Sequence, residues 1–129
     1  MPSTVPFWIA FLTTVVMLVV SLFTGFLRKR KAHLWMGPLT IVSLTVTIVL
    51  TEQLASYYTF PAGETAIHLP FAKAGGLLAI PVLVTGIWLW RTERARKWHR
   101  AMVFLWLASV LVATGTGLWM FAHGTPKPI

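Results

Sequence analysis

The sequence predicts an all-α integral membrane protein: a four-helix up-down bundle, N-out and C-out, built as a tandem pseudo-repeat of helical hairpins. Three observations predict it. Hydrophobic residues make up 57% of the 129 residues and charged ones 11%, against about 45–50% and about 25% in soluble domains. Four apolar stretches reach the roughly 20 residues needed to cross a hydrocarbon core about 30 Å thick. Nine of the eleven Lys and Arg fall in two short clusters between those stretches, a mark of membrane topology before it is a mark of nucleic-acid binding. A mean hydropathy of +0.75 points to the lipid bilayer as the first partner and away from nucleic acid.

The spans are expected at 6–27, 34–54, 69–90 and 98–122, as one transmembrane domain over 1–129. In lipid the backbone must satisfy its own hydrogen bonds, so each is a helix. Short connections then make neighbours antiparallel. Arg28, Lys29, Arg30 and Lys31 fill the first connection; Arg91, Arg94, Arg96, Lys97 and Arg100 fill the third. The positive-inside rule makes that side cytoplasmic. The connection from Ala55 to His68 has no Lys or Arg, so both termini are expected outside. The N-terminal run has no basic residue before its apolar stretch and does not read as a cleavable signal peptide. The expected setting is the inner (plasma) membrane of a bacterial or archaeal cell.

The two helix pairs resemble copies of one hairpin. Ser21–Met36 and Leu83–Met102 each carry a Thr-Gly near the inner helix end, a basic turn, a histidine, and methionine three residues later. Parallel copies pack about an axis along the membrane normal, which would set His33 and His99 at one depth. At about 100° per residue, the His33 face continues through Gly37, Thr40, Leu44, Thr47 and Thr51. The His68 face takes in Ala72, Gly75, Ala79, Val82 and Gly86; the His99 face takes in Trp106, Val110, Ala113 and Gly117. The first span offers Thr14, Leu18, Ser21 and Gly25. Small and weakly polar residues of this kind mark the buried faces of membrane helices.

A histidine above a small-residue stripe has two readings. One is close helix packing with an interfacial imidazole. The other is a b-type haem against the helix, with Gly75, Ala79 and Gly117 clearing room for the macrocycle and imidazole on the iron. Noncovalent haem needs no cysteine, and the chain has none. The metal-ligand candidates are His33 and His99 at the inner side and His68 and His123 at the outer, giving one or two haems. His123 is the weaker member, since it follows the last apolar residues and precedes Gly124-Thr125-Pro126. His33/Met36, His99/Met102 and Met120/His123 are imidazole–thioether pairs that suit copper(I) as a minority alternative, although methionine at such spacing is usually core filler. A chlorophyll's magnesium is a third possible occupant.

The order KAHLWM (Lys31–Met36), TFPAGE (Thr59–Glu64), IHL (Ile67–Leu69), KWHRAM and ATGTGLWM (within Lys97–Met120) resembles the small four-helix membrane proteins of the cytochrome-oxidase-assembly group, the CtaM-like proteins. The fourth span is also similar to transmembrane b-type cytochromes. The resemblance covers roughly 28–121. It implies a role near respiratory haem–copper enzymes and makes His33, His68 and His99 the family histidines. It departs at the outer end of the second span, where Ser56-Tyr57-Tyr58 stand in place of a histidine. The expected function is electron transfer or haem handling beside a respiratory complex, with quinone as a further partner. The rival is a non-catalytic assembly or scaffold subunit. No phosphate loop, Ser/His/Asp set or paired carboxylates are present, so a carrier or accessory subunit is expected rather than an enzyme.

Overall fold

The computed structural model describes residues 3–128. Four helices dominate: α1 (Val5–Phe26), α2 (Arg30–Ala55), α3 (Ala62–Arg91) and α4 (Arg96–Ala122). All are long and apolar enough to cross a membrane, so the all-α, multi-pass expectation holds. The chain divides into two compact units, Met1–Tyr58 and Thr59–Ile129. Each is a helical hairpin, α1 on α2 and α3 on α4.

In the first hairpin the contacts Ser21–His33, Met17–Thr40 and Thr14–Ser43 run in opposite directions along the two helices, which makes them antiparallel. The buried residues are Thr14 and Ser21 on α1 and Thr40, Thr47 and Leu54 on α2. All but Leu54 belong to the expected inward stripes. Hydroxyls join the two helices: Thr14 Oγ1 lies 2.7 Å from Ser43 Oγ and 2.8 Å from Thr47 Oγ1, and the Thr40 hydroxyl shares its proton between the Met36 carbonyl of its own helix at 2.7 Å and the Met17 carbonyl of α1 at 3.1 Å. In lipid, where apolar side chains gain little by leaving the solvent, such contacts and close packing are what hold helices together.

The turn between α1 and α2 closes in three residues. The Arg28 N–H donates to the Gly25 carbonyl at 3.2 Å and the Lys29 N–H to that of Thr24 at 2.9 Å. This is a Schellman motif, which needs a left-handed residue just past the helix. Arg28 takes that conformation, with φ 54°.

In the second hairpin α3 begins at Ala62, seven residues before the expected span start. Pro61 ends the preceding extended segment, and Glu64 in the first turn faces the positive end of the helix dipole. The polar Gly-Glu-Thr run therefore belongs to the helix and the connection from α2 shortens to 56–61. A two-residue strand β1 (Tyr58–Thr59) pairs with β2 (Thr125–Pro126). Beside it Phe60 sits against Gly124, where an added Cβ would come within 2.7 Å of the ring. The basic connection forms a single 3₁₀ turn, Glu93–Ala95, with the fully buried Ala95 at its foot. Away from the seams, both hairpins present the apolar surface a bilayer requires: Ile9, Val16 and Phe23 on α1, and Leu77, Ile80 and Val84 on α3, are all exposed.

Candidate functional site

His33 is the fourth residue of α2 and reaches back to α1. Its Nδ1–H donates to the Ser21 carbonyl at 2.9 Å. A carbonyl only accepts, so the neutral ring carries its proton on Nδ1 and its lone pair on Nε2. The ring lies over Gly25, where an added Cβ would stand 3.1 Å from Cε1.

The second hairpin repeats this contact twice, once in each direction. His99, the fourth residue of α4, has Nδ1 3.1 Å from Thr85 Oγ1 on α3. The Thr85 hydroxyl donates to the Pro81 carbonyl at 2.6 Å. Having only one proton, it must accept from the imidazole. His68 on α3 has Nδ1 3.1 Å from Thr116 Oγ1 on α4, and Thr116 donates to the Val112 carbonyl at 2.7 Å. The same bookkeeping of protons puts the His68 lone pair on Nε2. Each ring again covers a glycine: added Cβ atoms would lie 3.2 Å from His99 Cε1 at Gly86 and 3.1 Å from His68 Cε1 at Gly117.

Helix periodicity explains the reciprocity. His68 and Gly86 are 18 residues apart on α3, as are His99 and Gly117 on α4, which is five turns and about 27 Å of rise. Both members of each pair therefore share a face, and antiparallel packing brings histidine to glycine at both ends. Between them Gly75 closes the seam on Val110, 3.3 Å from an added Cβ, and Ala79 and Val82 are buried nearby in sequence. One imidazole thus stands near each end of the second hairpin, separated by about the thickness of a hydrocarbon core.

These contacts revise the roles expected of the small residues. The room at Gly117 is taken by the His68 ring, and that at Gly75 by Val110 of the same hairpin. They seat side chains and do not present a bare face to a macrocycle. Gly76 and Gly115 have open space in front of them. His123 lies just beyond the last residue of α4, its side chain 54% exposed. Its Nδ1 is 3.0 Å from the Trp119 carbonyl and 3.3 Å from Glu64 Oε1. Glu64 precedes His68 by one turn, so His123 is level with that carboxylate and offset from His68 along the hairpin. His33 belongs to one hairpin, and His99, His68 and His123 to the other.

Among the described residues no group of three or more His, Asp or Glu is placed to hold a metal ion. Met120 is buried and its sulfur lies 3.7 Å from Thr65 Oγ1, whose hydroxyl donates to the Pro61 carbonyl at 3.0 Å. Two buried polar atoms have no hydrogen-bond partner among the described residues, Glu64 Oε2 and Trp106 Nε1. Sequence reasoning missed the acceptors Thr85 and Thr116 and the Ser21 carbonyl. The available signal was the dipeptide Thr-Gly, present four times: Thr24-Gly25, Thr85-Gly86 and Thr116-Gly117 each lie beside a seated ring, and Thr114-Gly115 faces open space. Compared with known proteins, the chain matches no family model, no curated protein and no solved structure.

Proposed function

We propose that the protein is a haem-b-binding membrane protein of a bacterial or archaeal plasma membrane, acting in electron transfer or haem handling beside a respiratory complex. The observation that carries this reading is the common state of His33, His68 and His99. Each gives its Nδ1 proton to an oxygen of the facing helix and so keeps its lone pair on Nε2, the nitrogen an axial imidazole gives to iron. Metal-ligating histidines are held in this way, with the second nitrogen bonded to an outer acceptor that fixes the tautomer and the ring plane. Thr85, Thr116 and the Ser21 carbonyl would do that here. The glycines beneath the rings let the helices close on them, limiting ring rotation. When bound, haem b supplies one-electron redox chemistry. The motif resemblance to cytochrome-oxidase-assembly proteins favours a place beside a haem–copper enzyme, with quinone as the small redox partner.

The test is an absorption spectrum and pyridine haemochrome of the full chain, purified in detergent from haem-supplied cells, with metal analysis. About one or two b-type haems per chain are expected from the number of imidazoles. A folded, colourless and metal-free protein overturns the reading; copper or a magnesium pigment would assign the same imidazoles to a different occupant.

A second reading draws on the glycine contacts. Rings that fill the seam over Gly25, Gly86 and Gly117 can act as packing residues of a non-catalytic assembly subunit. That protein would be colourless and would co-purify with a larger membrane complex.

A further inference from the structure

The turn between α3 and α4 carries an open, charged surface groove that the histidines do not use. Its volume is about 400 Å3, and it is lined by Glu93, Arg94, Arg96, Lys97 and Arg100. Four basic groups against one acidic group leave it at +3. Glu93 is engaged by Arg96. Arg94, Lys97 and Arg100 have no carboxylate partner among the described residues and are exposed. Arg96, Lys97 and Arg100 fall on neighbouring positions of the first turns of α4, where i, i+3 and i, i+4 residues share a surface.

The backbone beneath them is held in place. The Ala95 N–H donates to the Thr92 carbonyl at 3.3 Å, the Arg94 N–H meets Thr92 Oγ1 at 3.4 Å, and Ala95 is fully buried. The cluster sits where α4 begins, with no acidic residue in the first turn and no side-chain cap. Basic charge at the positive end of a helix is electrostatically unfavourable until an anion joins it. Trp98, 56% exposed beside the cluster, is the amphipathic type that settles at headgroup level. We infer that this open groove binds the phosphodiester headgroup of an anionic phospholipid, in the leaflet that the basic excess marks as cytoplasmic. Arginine supplies the planar fork that grips two phosphate oxygens together, and a membrane-embedded chain meets that phosphate in lipid form. The inference is independent of haem binding.

Native mass spectrometry of the full chain, delipidated and then given phosphatidylglycerol, phosphatidylcholine or inorganic phosphate, tests this. Selective retention of phosphatidylglycerol is expected. Arg94→Gln/Lys97→Gln/Arg100→Gln should weaken it roughly a hundredfold, at about a factor of five per basic group near an anionic lipid. Arg28→Gln/Lys29→Gln/Lys31→Gln, which removes equal charge from the first hairpin's turn, should change it by less than about threefold. If the first triple variant does not insert, Arg94→Lys/Arg100→Lys keeps the charge and should still lower retention about tenfold through loss of the fork. Equal loss in both triple variants, equal retention of phosphatidylcholine, no effect of the arginine-to-lysine change, or displacement of lipid by equimolar phosphate would each overturn it.

Discussion

The two hairpins solve one problem, how to hold two helices together in lipid, with different chemistry. The first uses hydroxyls: Thr14, Ser43 and Thr47 meet midway along α1 and α2, and Thr40 bonds across to α1. The second lines its seam with small residues and seats histidine rings at both ends of it. The turns differ as well, a three-residue Schellman turn through Arg28 in one and a longer 3₁₀ turn capped by Thr92 in the other. A hydroxyl clasp tolerates some play between helices. A ring on glycine leaves no room for a larger residue, because an added Cβ would already stand 3.1–3.2 Å from it. The second seam therefore holds a candidate ligand at each end, His68 and His99, whereas the first holds one, His33 over Gly25.

The contrast breaks most visibly at the glycines. Gly117→Leu should destabilise the second hairpin by about 1–3 kcal/mol, as overpacking does, because the new side chain occupies the His68 ring position. Gly115→Leu, two residues away and facing open space, should be neutral or up to about 1 kcal/mol stabilising, since glycine weakens a helix interior. Unfolding by titration with sodium dodecyl sulfate reads both, and equal effects would remove the seated-ring geometry.

Next in size is the clasp. Thr14→Val should cost the first hairpin about 0.6–1.7 kcal/mol, the range for hydrogen bonds between membrane helices. Thr114→Val, whose hydroxyl bonds only to the Val110 carbonyl of its own helix, should lie within the error of the same titration.

Smallest is the turn. Arg28→Gly should stabilise the first hairpin by about 0.5–1 kcal/mol, since glycine enters the left-handed region without a Cβ penalty but loses more entropy on folding. No change would mean that Arg28 contributes through its charge as much as it loses in backbone strain. A separate signature belongs to the acceptors. Nitrogen-15 spectra should show neutral His68 with its proton on Nδ1, and Thr116→Val should release that preference; a proton on Nε2 in the unsubstituted chain would contradict the assigned tautomer.

Much of this was readable beforehand because membrane helices sort residues by size. Thr14, Ser21, Thr40, Thr47, Gly75, Ala79, Val82 and Trp106 are buried and lie on the faces that helical periodicity selects. The start of α3 was not readable, because hydropathy sees lipid depth and Ala62–Glu64 are helical without being apolar. The partner of each histidine was also hidden. Periodicity puts Gly117 on the inward face and turns Gly115 about 200° away from it, but only the register between helices sets His68 over Gly117 and not over another residue of that face. Trp106 is a further case. Its stripe position foretells burial, but nothing local foretells an indole N–H without a partner among the described residues.

The most direct test is haem content across single His→Ala variants of the full chain, with helicity checked in each. His68→Ala and His99→Ala should each lose bound b-type haem while staying folded, and His123→Ala, at an exposed helix end, should lose least. An unchanged Soret band in both His68→Ala and His99→Ala, or its absence from the unsubstituted protein made in haem-supplied cells, would contradict axial ligation by the seated imidazoles.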